Sequence, residues 1–291
     1  MEFTAVSWNL FHGRDFPPDP ALFTWRSRLL SIEERNGTHV QVNRELVDQF
    51  AELLAAAEWD VALLQECPPR FAGPLAEACG AEVHRVLTSR NSLSPLRAFI
   101  ARRNPDLIAS GEGGSNLTLV RSPFRSALSA HDGEKAHRSG RIAERRELAI
   151  HTGGPERRAM AFTRVDLGDG AGLCVANLHA TNDRPELATA DVLRAAEAAT
   201  EWAGNWPLLF GGDLNLRPAE NPDAFEALRE RFGLDGPTHR RAIDHLLTRN
   251  LEIAEPPRAW PPERRELPRD GLRLRLSDPT PVQARFKTGG P

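Results

Sequence analysis

Short apolar runs and helical apolar stripes alternate along most of this 291-residue chain. Continuous apolar runs of four to eight residues are typical of strands covered on both faces. The runs that predict strands are Phe3 to Trp8, "DVALLQE", Ala81 to Leu87, "NLTLV", "RRELAIH", "RRAMAFTRVDL", "GLCVANLHA", "PLLFGGDLN", "AIDHLLT" and "PVQARF". Gly, Asp and Ser turns separate the strands of the middle third, which favours hairpins there.

Four segments have the starts and the apolar spacing of amphipathic helices. The expected helices are one capped by Asn43 with Leu46, Phe50, Leu53 and Ala57 inward, one from about Pro68 to Ala78, one opening at Pro185 with Ala188, Val192, Ala195, Ala199 and Trp202 inward, and one starting at Asn221 and Pro222 with Phe225, Leu228 and Phe232 inward. Helices of this kind cover a sheet, so the pattern predicts an α/β fold.

The segment "EPPRAWPPERRELPRDG", residues 255–271, is rich in proline, and we expect it to be a loop. No shift in composition marks a linker between domains. We therefore expect a single domain over residues 1–288.

Composition narrows the class of protein. Hydrophobic residues make up 40% of the chain and the formal net charge is −3, which is typical of a globular protein and does not indicate tight nonspecific binding of nucleic acid. Only Lys135 and Lys287 are lysines among 37 basic residues, and we interpret the many Arg pairs as a solvated, ion-paired surface.

The cysteines and the N-terminus indicate a cytoplasmic protein. Cys67, Cys79 and Cys174 have no CxxC or Cys/His spacing, so reduced thiols are favoured over disulfides or a zinc site. The opening "MEFTAVSWNLF" is too short and too alternating for a signal peptide or a membrane-spanning helix. We expect a monomer.

Polar residues lie at or beside the ends of the predicted strands, where strand tips of α/β folds open onto a common surface. These residues are Asn9, Glu66, Asn177, His179, Asp213, Asn215, Asp244 and Asp278. A single Asn or Asp after a strand is usually a turn residue or a cap. In "ANLHA" and "GGDLN", however, two polar residues are two positions apart, so both members of each pair point from the same face of an extended chain.

These residue types suit phosphoester chemistry. Glu66 and Asp278, with Asn9 beside them, offer the hard oxygen ligands that Mg²⁺ or Mn²⁺ prefers. Asp213 can orient and deprotonate a water molecule, and Asn215 can donate to a phosphate without adding negative charge. His179 can hold or protonate a phosphate oxygen near neutral pH.

The motifs "SWNL", "LLQE", "ANLHA", "GGDLN", "AIDHLL" and "LSDPTPV", in this order, resemble those of the endonuclease/exonuclease/phosphatase superfamily. That superfamily includes DNase I-like nucleases, abasic-site endonucleases, sphingomyelinases and inositol-polyphosphate phosphatases. The resemblance spans nearly the whole chain. It implies a four-layer α/β sandwich of two face-packed mixed β-sheets flanked by helices, with Glu66 at the metal, and with Asp213, Asn215 and His179 as catalytic residues.

The chain departs from the family pattern near its end. Family members typically read Ser-Asp-His, whereas this chain has Ser277, Asp278 and Pro279. In the family that histidine contacts the scissile phosphate and is oriented by an aspartate matching Asp244, which here lacks its partner. His245 should point to the opposite face of its strand and His239 lies in a loop, so we interpret both as satisfied surface histidines.

We therefore expect a divalent-metal-dependent phosphoesterase that hydrolyses phosphodiester bonds, as nucleases do, with activity weakened at Pro279. The alternative is a catalytically impaired member that binds a phosphorylated ligand or nucleic acid without turnover. Pro279 favours the alternative, and the intact Glu66, His179, Asp213 and Asn215 favour the enzyme. The motifs of serine hydrolases, P-loop NTPases and zincins are absent from the sequence.

Overall fold

The computed structural model describes residues 1–88, 94–104, 114–124, 140–151, 158–168, 170–182 and 184–288. The strands are β1 Glu2–Asn9, β2 Glu34–Arg35, β3 Val40–Gln41, β4 Val61–Cys67, β5 Ala81–Leu87, β6 Ser115–Arg121, β7 Arg141–His151, β8 Arg158–Gly168, β9 Ala171–His179, β10 Leu208–Asp213, β11 Asp244–Arg249, β12 Leu251–Ala259, β13 Glu266–Arg269, β14 Leu272–Arg275 and β15 Val282–Thr288. The α-helices are α1 Trp25–Leu30, α2 Val47–Ala56, α3 Ala72–Cys79, α4 Ser94–Arg103, α5 Pro185–Ala203 and α6 Pro222–Phe232.

Two large sheets form the centre of the molecule. One has the strand order β12-β15-β1-β4-β6-β5 and the other has the order β11-β10-β9-β8-β7. Each sheet contains one parallel pair, β1 with β4 and β9 with β10, and its other neighbouring strands are antiparallel. Helix α2 lies between β1 and β4 in the chain, and α5 lies between β9 and β10, as a parallel connection requires.

The three largest clusters of buried apolar side chains in the described residues form separate layers of core. A central cluster joins the inner faces of the two sheets and includes Phe3, Leu63 and Val175. A second cluster packs α2 and α3 on the outer face of the six-stranded sheet, and a third packs α5 and α6 on the outer face of the five-stranded sheet. The α/β sandwich of four layers that the resemblance implied is therefore confirmed.

Period-two alternation places the polar strand ends between the sheets. In β9, Leu173 and Val175 face the central cluster, while Cys174 and Ala176 face the helices. Continuing this alternation places His179 on the inner face, at the last residue of the strand. The same count places Asn9 on the inner face of β1 and Asp213 on the inner face of β10, so polar groups from both sheets meet at one end of the inter-sheet layer.

Helix α2 starts later than the sequence predicted. Leu46 is its N-cap residue and makes no side-chain cap, whereas the predicted cap Asn43 is buried and donates to the Ser27 carbonyl and to the Asn104 side chain. At the other end, the buried Arg121 guanidinium donates to the carbonyls of residues 54, 55, 57 and 59. These bonds satisfy the carbonyl groups that a helix end leaves unpaired.

The prediction of a loop over residues 255–271 is wrong. Residues up to Ala259 belong to β12, and residues 266–269 form β13, paired with β14. Strand β12 lies at the edge of the six-stranded sheet, and its pairing with β15 shifts register between Glu255 and Arg258, where Pro256 and Pro257 lie. Proline is tolerated at sheet edges and bulges because no ladder hydrogen bond is lost there. A high proline content therefore does not exclude an edge strand such as β12.

Candidate active site

The carboxyl ends of four strands meet at one end of the inter-sheet layer. Asn9 ends β1, Glu66 is the next-to-last residue of β4, His179 ends β9 and Asp213 ends β10. Asn9 Nδ2 donates to Asp213 Oδ2 at 3.0 Å, which joins the two sheets directly. Because β1 with β4 and β9 with β10 are parallel pairs, the two carboxyl ends within each pair point the same way, and the bond between Asn9 and Asp213 shows that the two pairs end together.

Two glycines explain why β10 can deliver Asp213 so close to its neighbours. At Gly212, where φ is +124°, an added Cβ would lie 2.0 Å from the Leu178 carbonyl oxygen. At Gly211 it would lie 2.5 Å from the His245 carbonyl oxygen. Only glycine allows the three strands to approach this closely, so the "GG" of "GGDLN" is a requirement of the backbone.

Glu66 reaches the inner face through a bulge. Simple alternation would place it with Ala62 and Leu64 on the helix side, but the pairing of β4 with β6 shifts register between Leu64 and Cys67. Glu66 itself has the left-handed φ of +47°. A bulge of this kind turns a side chain to the other face of a sheet.

Two imidazoles lie against the Glu66 carboxylate. His12 Nε2 is 3.2 Å from Oε2, and His179 Nε2 is 3.5 Å from Oε1. Burial by itself would raise the pKa of Glu66, but the neighbouring His179 and His12, together with a hydrogen bond from Asn9, outweigh it and lower that pKa. Glu66 is therefore held as a carboxylate.

Arg158 fixes the orientation of His179. Its Nη1 lies 3.1 Å from His179 Nδ1, and both side chains are buried. Because a guanidinium can only donate, Nδ1 accepts and the ring proton is on Nε2. That nitrogen lies 3.5 Å from Glu66 and 3.9 Å from Asp213 Oδ2, so its proton points into the site.

Asp213 and Asn215 form a tight turn after β10. The backbone N–H of Asn215, which has a φ of +51°, donates to Asp213 Oδ1 at 3.1 Å, and the Asn215 amide donates to the Ala180 carbonyl at 3.0 Å. Burial raises the pKa of Asp213, although His179 and the hydrogen bonds from Asn9 and Asn215 oppose this.

Asp244 lies directly opposite Asp213 in the ladder between β10 and β11. Burial, then the charges of Asp213 and Glu66, raise the pKa of Asp244 well above its usual value. Its Oδ1 has no hydrogen-bond partner among the residues that the structure describes. Asp213 has several stabilising donors, so Asp244 is the member of this pair that retains a proton more readily.

Asp278 is exposed at the edge of the site. Within the described part of the chain, no hydrogen bond or ion pair joins its carboxylate to Asn9 or Glu66. Its backbone, by contrast, is firmly held. Arg265 Nη1 donates to the carbonyls of Ser277, Asp278 and Pro279, and Trp8 Nε1 donates to the Pro279 carbonyl at 3.2 Å.

Three other sequence candidates have different surroundings. Asn177 is fully buried below His179, where its amide bonds Gln65, Leu64 and Leu117 and ties the two sheets together. His245 was interpreted as a surface residue, and this is wrong. It is fully buried with Nε2 at the Leu216 and Ala242 carbonyls, and burial lowers its pKa to about 4. His239 is exposed, in the loop before β11.

Sequence reasoning missed three residues of the site: His12, Arg158 and Arg265. His12 lies in a one-turn 3-10 helix after β1, in a left-handed conformation that nothing in its neighbours announces. Arg158 and Arg265 each belong to an Arg pair that was assigned to the solvated surface, and for these two residues that assignment is wrong because both are buried. Arg264, the neighbour of Arg265, is exposed, and an Arg pair alone does not tell which member turns inward.

The residues fit a divalent cation that is shared with substrate and water. Mg²⁺ usually takes one or two protein carboxylates and completes its shell with water and substrate phosphate. Glu66 and Asp213 provide carboxylates, and a cation would relieve the repulsion that raises the pKa of Asp244. Asn9 Oδ1 already accepts the Phe11 N–H at 2.9 Å. Across the described residues, no group of three or more His, Cys, Asp or Glu side chains is arranged to hold an ion by itself.

The sequence matches the Endonuclease/Exonuclease/phosphatase family over residues 6–278, and the chain belongs to this family. Enzymes of the family typically hydrolyse phosphoesters. No curated protein sequence matches the chain. In the described residues, no helix has both the length and the apolar character needed to cross a membrane.

Solved structures have the same fold at low sequence identity. A family protein from Bacteroides thetaiotaomicron is similar with a TM-score of 0.61 and 15% identity, covering 100% of this chain and 99% of its own. A mannosyl-6-phosphatase from the same organism gives 0.59 and 14%, covering 98% and 99%. Truncated TDP2 from Caenorhabditis elegans gives 0.56 and 14%, covering 98% of each chain.

Proposed function

We propose that this protein is a divalent-metal-dependent phosphodiesterase whose active site is the strand-end cluster of Glu66, His179, Asp213 and Asn215. The observation that supports it best is the convergence of these four side chains, from both sheets, around a buried hydrogen-bond network. Buried titratable groups with mutually perturbed pKa values are typical of catalytic sites. The family match and the similar phosphatase structure support phosphoester hydrolysis as the reaction class.

Each residue has a role that its surroundings favour. Asp213, whose pKa is raised, is the general base that takes a proton from the attacking water. His179, with its proton on Nε2, donates to a phosphate oxygen, and Arg158 keeps it in that tautomer. Asn215 would orient the phosphate with the amide N–H that does not bond the Ala180 carbonyl.

Glu66, with Asn9 and Asp278, would hold Mg²⁺ or Mn²⁺. Such an ion polarises the phosphoryl oxygen and stabilises charge on the leaving group. Asp278 would have to contribute through water or after a change of rotamer, because no described contact joins it to Glu66. Asn9 contributes most directly by orienting Asp213.

A second candidate function is binding of a phosphorylated ligand or nucleic acid without turnover. The observation that favours it is the Asp244 carboxyl, which lines the same cleft as Pro279 and has an oxygen that no described residue bonds. We propose that the absence of the family histidine at position 279 slows the reaction rather than stopping it. The described hydrogen bonds and ion pairs that hold Glu66, His179, Asp213 and Asn215 do not involve residue 279.

Hydrolysis of a phosphoester panel with Mg²⁺, Mn²⁺ or EDTA tests the proposal. The panel comprises bis(p-nitrophenyl) phosphate, p-nitrophenyl phosphate, and single-stranded, duplex and abasic DNA. We expect metal-dependent cleavage of diesters, and a loss of at least about 100-fold in Glu66→Gln, which removes a charge without changing volume. Glu77→Gln, on the exposed face of α3, is the matched control and should keep full activity.

Full metal-dependent turnover in Glu66→Gln would contradict the assigned site. Absence of turnover on every substrate, combined with saturable binding of the DNA probes, would instead support the second candidate.

A further inference from the structure

Exposed large apolar side chains are concentrated on two helices, α1 and α4. In the described part of the chain the five most exposed, at 52% to 66%, are Trp25, Leu29, Leu30, Leu96 and Phe99. The next three, Leu187, Trp206 and Ile253, are 37% to 39% exposed and lie in separate parts of the chain. Single exposed apolar residues are normal, whereas a group of them marks an interaction surface.

Helix α1 has the reverse of the usual amphipathic arrangement. Its only buried residue is Ser27, and its three apolar side chains are exposed. A helix of six residues is not stable in water by itself. Polar contacts hold this one, because the Ser27 N–H donates to the Thr24 hydroxyl at 3.1 Å and the Asn43 amide donates to the Ser27 carbonyl at 2.7 Å. The helix is therefore attached through polar groups, and its apolar side chains face away from the protein.

Helices α1 and α4 meet at their carboxyl ends. Asn104 directly follows α4 and donates to the Arg28 carbonyl at 2.9 Å, and the Asn43 amide bonds Asn104 Oδ1 at 2.9 Å. The six residues of α1 span about 9 Å and the ten of α4 span about 15 Å, so their exposed side chains belong to one region of the protein. We call the side chains of these two helices that reach solvent the α1–α4 surface.

The α1–α4 surface is basic as well as apolar. The two helices contain no Asp or Glu, and their five arginines are Arg26, Arg28, Arg97, Arg102 and Arg103. The whole chain has a formal net charge of −3, so this is a local concentration of positive charge. The Arg103 guanidinium lies over the Phe99 ring, 4.0 Å from its centroid, so basic and apolar groups are interleaved.

The acids next to these helices already have partners. Glu33, three residues after α1, pairs with three arginines outside the two helices, Arg35, Arg44 and Arg269. Glu34 accepts a hydrogen bond from the hydroxyl group that caps α1. Glu45 accepts from Arg70 at 3.1 Å and lies 4.0 Å from Arg102. The positive charge of the α1–α4 surface is therefore only partly compensated by its neighbours.

We infer that the α1–α4 surface binds the face of an anionic phospholipid bilayer, with its apolar side chains in the interface between headgroups and acyl chains and its arginines at the lipid phosphates. Interfacial segments of proteins combine Trp, Phe and Leu with basic residues in this way. The long arginine stems allow the guanidinium groups to stay at headgroup level while the neighbouring apolar side chains enter more deeply. The inference does not rest on the proposed phosphodiesterase function and assigns no substrate.

A second copy of this chain fits the α1–α4 surface less well. A two-fold contact is self-complementary, so it would place the arginines of one copy against those of the other. The two helices contribute no acid that would relieve this repulsion. An anionic bilayer, by contrast, presents both an apolar layer and negative phosphate groups.

The α1–α4 surface lies beside the candidate active site without sharing residues with it. Three rings connect them, with centroids 5.5 Å apart for Phe11 and Phe16 and 5.0 Å apart for Phe16 and Phe23. Phe11 precedes His12, which contacts Glu66, and Phe23 lies two residues before α1. Substitutions on the α1–α4 surface should therefore leave hydrolysis of a soluble diester unchanged, which separates binding of a bilayer from catalysis.

Cosedimentation with large unilamellar vesicles tests the inference on the wild-type protein. Vesicles of phosphatidylcholine alone are compared with vesicles in which about a third of the lipid is phosphatidylserine. We expect the partition coefficient to be at least about tenfold higher with phosphatidylserine, and to fall when the ionic strength is raised from about 0.1 M to about 1 M, because salt screens the arginines. Equal binding to both kinds of vesicle, or binding to neither, would overturn the inference.

Apolar variants test whether α1 enters the bilayer. Leu29→Ser combined with Leu30→Ser should weaken binding to the phosphatidylserine vesicles at least about tenfold, because two apolar side chains are lost from the interface. Leu187→Ser combined with Ile253→Ser changes exposed apolar residues outside the α1–α4 surface and should bind like the wild-type protein. Thermal melts show which variants are folded, and full binding by the folded α1 variant would overturn the inference.

Charge variants test the role of the arginines. Arg26→Gln combined with Arg28→Gln should weaken binding to the same vesicles at least about tenfold and reduce its dependence on salt. Arg229→Gln combined with Arg231→Gln removes two exposed arginines with the same spacing on α6 and should have little effect. Equal losses in the two charge variants would overturn the assignment to the α1–α4 surface.

Sedimentation velocity without lipid distinguishes a bilayer from a second copy of the chain. A protein that stays monomeric and binds the phosphatidylserine vesicles would support the inference. A dimer that Leu29→Ser combined with Leu30→Ser dissociates would show that a second copy covers the surface, and would overturn it.

Discussion

Restoring a histidine at position 279 is expected to accelerate the reaction. The structure holds this segment through the Pro279 carbonyl, which accepts from Trp8 Nε1 at 3.2 Å and from Arg265 Nη1 at 3.3 Å. The ring of the proline is not needed for these contacts, so Pro279→His can retain the backbone position. Asp244 and Pro279 line one cleft, between the loop before β11 and residues 278–282, and Asp244 Oδ1 has no hydrogen-bond partner among the described residues.

The size of the effect follows from the role of the group. A positioned acid or base contributes about 10²–10⁴-fold to a rate. A single substitution does not reproduce the packing that positions an evolved histidine, so we expect an increase in kcat of about 10- to 100-fold, which reaches only the lower bound of that range. Asp244→Asn in the Pro279→His background should remove most of the gain, because the imidazole then loses its orienting carboxylate.

The assay is steady-state hydrolysis of methyl p-nitrophenyl phosphate with Mg²⁺ by the wild-type protein, both single variants and the double variant. The methyl ester is chosen because its small alcohol group makes few contacts with the cleft that Pro279 lines, whose wall the substitution also changes. Thr280→His adds an imidazole one residue away and is the control. If Pro279→His leaves kcat unchanged, or if Asp244→Asn does not reduce its gain, another group already fills the role and the interpretation of Pro279 is wrong.

Two further predictions concern buried charged residues. Arg158→Gln should lower kcat by about 10- to 100-fold with a small change in KM, because the hydrogen bond from Arg158 fixes the tautomer of His179. Steady-state kinetics measure both constants. An unchanged kcat would show that the contact does not contribute to the reaction. Burial raises the pKa of Asp15 from 3.8 to about 7, so the protonated carboxyl favours the folded state at low pH and that stability is lost as pH rises toward 7. Between about pH 5 and about pH 8, the free energy of unfolding of the wild-type protein should fall by about 3 kcal/mol more than that of Asp15→Asn. Urea unfolding at several pH values measures both. Parallel pH profiles of the two proteins would refute the prediction.

The periodicity of the sequence indicates which strand-end residues of the candidate site face inward, because strand alternation is a local property. Asn9, His179 and Asp213 reach the inner face by counting in twos from the apolar residues of their own strands. The residue types then indicated phosphoester chemistry, because carboxylates and an imidazole grouped at strand ends are more typical of an active site than of a structural role. The order of the motifs along the chain also indicated the family, which the match over residues 6–278 confirms.

Glu66, Arg158 and β12 show where this reasoning stops. Glu66 faces the site only because a bulge interrupts β4, and a bulge depends on the pairing of two strands rather than on the sequence of one. Arg158 contacts His179, which lies 21 positions further along the chain. The neighbouring sequence of Arg158 does not indicate this contact. Strand β12 contains two prolines, which the sheet edge tolerates through a register shift that composition does not show.

The helix starts are a smaller case of the same kind. Asn43 has the residue type of an N-cap, but its amide is used by Ser27 and Asn104, which are distant in the chain. Tertiary hydrogen bonds of this sort override local capping preference, and the helix starts at Val47, three residues later than a cap at Asn43 implies.

The central claim is that the strand-end cluster is a metal-dependent phosphodiesterase site, and the most direct test is the initial rate of bis(p-nitrophenyl) phosphate hydrolysis by the wild-type protein during a titration with Mg²⁺. We predict a rate that is absent in EDTA, rises to saturation as Mg²⁺ is added, and remains at background in Glu66→Gln while Glu77→Gln follows the wild-type curve. A rate that is equal with and without the metal, or that Glu66→Gln reproduces in full, would contradict the claim.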